Sequence, residues 1–260
     1  MYYAYKQRTR SNKILRDLES TRSDFFTGIT HEFRTPLTVI KGLNRQMQLK
    51  KNLSEREQTV LRAAIERQSN NLIKLVNQLL NIAKLKQGSD NPEWRKGNIV
   101  GYLQMSAETF RLYAEQNDIE LVFYSNIPSI DMDFIPSYID KIVSNLLSNA
   151  IKYTDAGGRI DFTVGNGKRV ETIKIMISDT GQGIPKESIK YIFELFYQTP
   201  QGKRMIGTGI GLAFTKMMVE KMDGEIEVES QVGIGTLFTI TLPLKNKKSK
   251  YPRFGKRKPN

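Results

Sequence analysis

At 260 residues, 39% hydrophobic and 26% charged, the chain has enough apolar content for a real core, in one large domain or two modest ones. It has no cysteine, which excludes a disulfide framework and fits a reducing compartment, and no apolar run approaches the roughly 18 residues a membrane span needs. The formal charge of +13 sits at the ends, with five bases up to Arg16, eight from Lys245 onward, and 27 bases against 27 acids between. A neutral body argues against a basic recognition face, so no direct nucleic-acid binding is expected, although the ends could still meet anionic surfaces.

Residues 1–9 form a basic lead. Tyr2, Tyr3 and Tyr5 precede Lys6 and Arg8, which matches either the cytoplasmic end of a membrane helix lying upstream or an ordinary polar start. From residue 10 to 50 the apolar positions Ile14, Leu18, Phe25, Ile29, Phe33, Ile40, Leu43 and Met47 recur at helical steps, with a bend expected at Pro36. Ser54 and Glu57 make a capping box for a second helix, running to about Lys86, roughly 50 Å at 1.5 Å per residue. Its residues Leu61, Ile65, Gln68, Leu72, Leu75, Leu79 and Ile82 keep a strict 4-3 spacing, the seam of a helical hairpin. The apolar stripes are too wide for one hairpin, and a symmetric dimer making a four-helix bundle would cover them. Residues 10–87 are thus read as a first domain and 88–98, polar with Pro and Gly, as a linker.

Residues 99–244 change to a mixed α/β pattern. Helices are expected at 99–117, 136–153, 186–195 and 209–222, and strands at 119–124, 130–134, 159–164, 172–178, 225–230 and 236–242, the last two closing as a hairpin. Residues 245–260 are read as a basic tail.

His31 is the only histidine. It lies mid-helix beside Glu32, and Thr35 follows just before Pro36. A neutral imidazole can act as a nucleophile near pH 7, with Glu32 taking the proton from its other nitrogen. A zinc reading fails because the HExxH pattern needs a second histidine where Thr35 stands. Taken alone, such a histidine also fits a solvated or core position. On the helix from Pro136, Asn145, Asn149, Lys152 and Tyr153 share one face, while Ile142, Leu146 and Leu147 face the other way. Amide oxygens and a lysine suit a Mg²⁺-triphosphate, or simply a solvated face. Asp179, followed by Gly181, Gly183 and Ile184, offers an acceptor-only carboxylate that can take the exocyclic amine of adenine. Gly207, Thr208, Gly209, Gly211 and Leu212 open a helix, where backbone N–H groups favour phosphate. No strand precedes that turn, which disfavours a dinucleotide loop. The polar stretch 198–206 before it, flanked by Phe193 and Phe196, reads as a lid from which Lys203 or Arg204 could reach a γ-phosphate.

Five motifs in order resemble those of sensor histidine kinases of two-component signal transduction: FFTGITHEFRTPLT, NLLSNAIKYT, DTGQGIP, FELFYQ and GTGIGLAF. The resemblance implies an α+β chain of two domains. A HisKA-type dimeric helical hairpin would be followed by a Bergerat-type (GHKL, HATPase_c) α/β sandwich, the ATP-binding fold shared with gyrase and Hsp90. It implies ATP and Mg²⁺ as cofactors, with Asn149 as the main Mg²⁺ ligand and Asn145 assisting. Lys152 would meet phosphate, Tyr153 would lie near adenine, Asp179 would hold its amine, and Gly181, Gly183, Gly207, Gly209 and Gly211 would shape the pocket and lid. His31 would be the phosphoacceptor, Glu32 its base and Thr35 the residue positioning water for phosphatase activity. Hydrolysing relatives carry a glutamate where Asn145 stands, and an amide cannot act as a general base at neutral pH. The expected partners are a second copy, a response-regulator receiver domain, and an upstream sensor region, in the cytoplasmic portion of a bacterial inner-membrane protein. The alternatives are a nucleotide-binding scaffold or phosphatase-biased homologue and, further off, a GHKL ATPase.

Overall fold

The computed structural model describes residues 2–50, 53–167, 169, 171–199, 208–246, 248 and 249, with side chains from Phe26 onward. Two long helices, α1 (Tyr2–Leu49) and α2 (Glu55–Gln87), pack on each other. Ser54 caps α2: its hydroxyl accepts the Glu57 N–H at 3.3 Å, and the Glu57 carboxylate accepts the Ser54 N–H at 2.9 Å. Such a cap is worth about 1 kcal/mol. Gly88, with φ of 65°, ends the helix in the left-handed conformation that glycine adopts without steric cost. Leu61, Leu75 and Ile82 of the expected seam are buried. A second apolar row on α2, Ile73, Val76 and Leu80, is 40–57% exposed. Two glycines interrupt α1, each costing roughly 1 kcal/mol against alanine. Around Gly42 there is open space; Gly28 has the Phe196 ring where a side chain would go.

The rest of the chain is a layered α/β domain. Its sheet has five strands: β2 (Glu120–Ser125), β4 (Arg159–Asn166), β5 (Thr172–Asp179), β6 (Glu225–Gln231) and β7 (Gly235–Pro243), in the order β2-β4-β5-β7-β6. All neighbours are antiparallel except β2 and β4. In β5 every second residue is buried, so one face carries Ile173, Ile175 and Ile177 into the core. On that face lie α3 (Ile99–Glu115), α4 (Pro136–Tyr153) and α6 (Gly211–Lys221). Ile142, Leu146 and Leu147 of α4 are at most 2% exposed, and burying each such side chain contributes about 1.5–3 kcal/mol.

Three regions differ from the sequence reading. Arg95–Asn98, placed in the linker, forms strand β1 and pairs antiparallel with β3 (Asp131–Phe134), with Trp94 buried just before it. The helix expected over 186–195 is only α5, Lys186–Ile189, followed by turns. The start of the basic tail is folded: the Asn246 N–H donates to Asp133 Oδ2 at 3.1 Å, and its side-chain amide donates to the Met222 carbonyl and to Asp223 at 3.0 Å. Asn246→Ala removes the side-chain partner of a buried carbonyl and is expected to lower unfolding free energy by about 1–3 kcal/mol, read as a lower denaturant midpoint at unchanged slope. Lys245→Ala, which breaks only an exposed ion pair to Glu171, is expected to cost less than about 1 kcal/mol.

Candidate active site

A helix whose apolar face is fixed against a sheet has no freedom to turn its polar face. On α4, burial of Ile142, Leu146 and Leu147 therefore aims Asn145, Asn149, Lys152 and Tyr153 into a cavity of about 390 Å³. That volume lies in the range of small-ligand pockets, about 300–1,000 Å³. Lys152 Nζ lies 3.0 Å from the Tyr153 hydroxyl and 4.6 Å from its ring centroid. The Asn145 amide donates to Thr215 Oγ1 at 2.9 Å, and its other end packs where a Gly211 side chain would stand. The Asn149 side chain is half-buried on the cavity wall, without a partner among the described residues.

At the cavity floor, Asp179 ends β5 opposite Thr236 of β7. Its Oδ1 accepts the Gly181 N–H at 2.9 Å and the Thr236 N–H at 3.2 Å. Burial pushes the Asp179 carboxyl up, and these two N–H donors pull it back. Both bonds fall on one oxygen, so the second is left for an amino group in the cavity. Gly181 and Gly183 are forced by close approach: side chains there would run into the Tyr153 and Gln231 carbonyls. Gly183 also has φ of 71°.

The cavity is not closed by this domain alone. Gln78 of α2 lies on its wall and faces Thr208, with oxygen to oxygen at 3.4 Å. Gln198, also on the wall, donates to Glu32 Oε1 at 3.5 Å, so the pocket opens against the helix that carries His31. Burial raises the Glu32 carboxyl, opposed by the neighbouring His31. His31 is exposed, and the Thr35 hydroxyl donates back to the His31 carbonyl at 3.4 Å.

Of the residues singled out in the sequence, Asn145, Asn149, Lys152, Tyr153, Asp179, Gly183, Ile184, Thr208, Gly209, Gly211 and Leu212 meet at the cavity. Gly181 lies behind Asp179, and Phe196 is turned away toward α1. Lys203, Arg204 and Gly207 lie outside the described residues. Sequence reasoning missed Ser148 and Gln78, and it placed Gln198 at the start of a lid without singling it out as a cavity residue. Ser148 precedes Asn149 on α4 and was within reach of a helical wheel; Gln78 depends on a contact with residue 208, which no local pattern carries.

A mixed sheet backed by helices, with its cavity between α4 and a glycine-rich turn, defines a nucleotide-binding domain of the gyrase and Hsp90 class, here docked on a histidine-bearing hairpin. The family model for the histidine kinase-, DNA gyrase B- and HSP90-like ATPases matches residues 135–246, and that for the His Kinase A phospho-acceptor domain matches 21–88. The chain belongs to the sensor histidine kinases by these two adjoining domains, and its second domain is of the ATP-binding kind. It is 32% identical to the sensor histidine kinase WalK of Bacillus subtilis over 238 residues, which cover 88% of this chain and 38% of WalK. The fold is similar to full-length ShkA in complex with AMPPNP (27% identity, TM-score 0.65, 83% of this chain and 44% of that one). It is also similar to the histidine kinase ThkA in complex with the response regulator protein TrrA (23% identity, TM-score 0.68, 90% and 65%). The chain spans less than two fifths of WalK's length. No helix among the described residues is long and apolar enough to cross a membrane.

Asp179→Asn is expected to weaken ATP binding by about tenfold or more, because a donor would replace the one carboxylate oxygen not engaged by the Gly181 and Thr236 N–H groups. The same variant should be more stable than wild type at neutral pH. A raised carboxyl binds its proton more tightly in the folded state, so wild type regains stability as pH falls through that raised value. The gap should therefore close as pH drops toward the ordinary aspartate value of 3.8, measured by thermal unfolding across pH.

Proposed function

We propose that this chain is the kinase core of a two-component sensor: it transfers the γ-phosphoryl group of ATP to His31 and then to an aspartate of a response-regulator receiver domain. The observation that carries the reading is Gln198, which lines the nucleotide cavity and touches Glu32, one residue from His31. A His31 ring nitrogen forms a bond to the γ-phosphorus as the bond from that phosphorus to the ADP oxygen breaks. Glu32 accepts the proton from the other ring nitrogen; its raised carboxyl brings it nearer to a base poised for neutral pH. Asp179 holds the adenine amine, Tyr153 flanks the ring and Lys152 meets phosphate.

The donor set suits magnesium: amide oxygens of Asn149 and Asn145 make a poor cage for a free ion but complete the shell of one carried on phosphates. Bound there, it would neutralise charge developing on the triphosphate. The lid bases Lys203 and Arg204 are assigned to the same charge. With Asn145 in place of a glutamate, no carboxylate on that face of α4 activates water, which favours transfer over hydrolysis. A second copy would cover the exposed row Ile73, Val76 and Leu80, making a four-helix bundle. The ThkA complex, with its bound regulator, supports a receiver domain as the acceptor. The tyrosines and bases at 2–8 support attachment to a membrane sensor upstream, with this chain on the cytoplasmic side.

Incubation with γ-labelled ATP and Mg²⁺ tests the reading. Wild type is expected to take up label that survives alkali and is lost in acid, and His31→Gln to take up none. Nucleotide binding with no such label in wild type would overturn the kinase assignment. Thr35→Ala is expected to keep autophosphorylation within about twofold while slowing dephosphorylation of the regulator by about tenfold or more, the usual scale for a group that positions a reacting water.

A further inference from the structure

The α1 helix carries two interior glycines, and they differ in what surrounds them. A side chain at Gly42 would meet nothing within 4 Å. A Cβ at Gly28 would stand 2.5 Å from Phe196 Cγ and 2.9 Å from Phe196 Cβ, inside the ring's own space. Gly28 lies one helical turn before His31, on the same face. Phe196 is itself held in an unusual way: its φ is 66°, rare for an aromatic residue, and its N–H donates to the Gly209 carbonyl at 2.9 Å. Gly209, with φ of 63°, packs directly on the Phe196 backbone and lines the nucleotide cavity. Two residues beyond Phe196, Gln198 reaches Glu32. An unbroken set of contacts thus runs from the glycine turn through Phe196 to the helix around His31.

We propose that Gly28 is a positioning residue for phosphoryl transfer, a notch in the phosphoacceptor helix that seats the Phe196 ring and sets the register between the nucleotide pocket and His31. This rests on the kinase reading above. The burial that raises the Glu32 carboxyl comes with the same docking. A methyl group in the notch pushes the domain outward, and displacement of about an ångström costs on the order of 100-fold in an oriented transfer.

Gly28→Ala, Gly42→Ala and wild type should be compared for thermal unfolding of the helices and for initial rates of His31 labelling over a range of ATP concentrations. Both alanines favour the helix, so neither variant should melt below wild type. Gly42→Ala should label at the wild-type rate. Gly28→Ala should label about 10- to 100-fold more slowly at saturating ATP with KM unchanged, and Phe196→Ala in the Gly28→Ala background should recover part of that loss. Labelling by Gly28→Ala at the Gly42→Ala rate would overturn the proposal. A second arm reads docking without catalysis. The chain has no cysteine, so Gly28→Cys with Phe196→Cys offers one thiol pair within a chain. The two Cβ positions stand 2.9 Å apart, closer than a disulfide's usual separation of about 3.5–4.5 Å, so a short bifunctional thiol reagent is used rather than oxidation. Cross-linking within a chain supports the notch; its failure overturns it. Cross-linking with no label in any protein would instead sink the kinase reading and, with it, the catalytic role of the notch.

Discussion

The period of one helix governs the site. Helix α4 returns every 3.6 residues, so seating Ile142, Leu146 and Leu147 in the core leaves Asn145, Asn149 and Lys152 a single direction. The sheet supplies the matching constraint, because the β5–β7 register sets Asp179 opposite Thr236 and brings that residue's N–H to the carboxylate. Cavity wall and cavity floor are thus consequences of core packing, and the residues that line the cavity have little independent freedom. A cavity mutation in the layer under α4 acts on nucleotide binding as well as on stability.

Chemistry is divided between two bodies with different demands. The carboxylate at Asp179 sits buried, held in its charged form by only two N–H donors, an arrangement that disfavours the folded state and suits recognition of an amine. His31, by contrast, is exposed on α1 and does not line the nucleotide cavity. For the proposed transfer, neither half is sufficient. Glu32 stands where they meet, screened from water by a contact that belongs to the other domain.

Most of this was legible where the signal is local. The bounds of α4, the capping box at Ser54, the seam on α2 and the side of α4 that lines the cavity all follow from periodicity and from capping chemistry within one turn. What was lost depends on partners far along the chain. Arg95–Asn98 has no apolar alternation and is a strand only because β3 pairs with it. Asn246 looks like one more polar residue in a basic run, and its burial is set by Asp133, 113 positions away. The stretch after Ile189 has helical spacing but turns back, and Phe196 takes a positive φ that its side chain resists and that packing on α1 and Gly209 supports. Nothing local marks the glycine at 28, since its meaning lies in residue 196.

The two ends of the nucleotide-binding domain meet on one short strand. Lys96 of β1 is opposite Asp133 of β3, while the Asp133 N–H is bonded to the Leu244 carbonyl and its carboxylate to Asn246. The strand that leads out of α2 into the domain and the segment that follows β7 are therefore fastened to the same residue, so tension on the chain after Pro243 is borne first at Asp133 and, through the β1–β3 pair, by the junction with the hairpin.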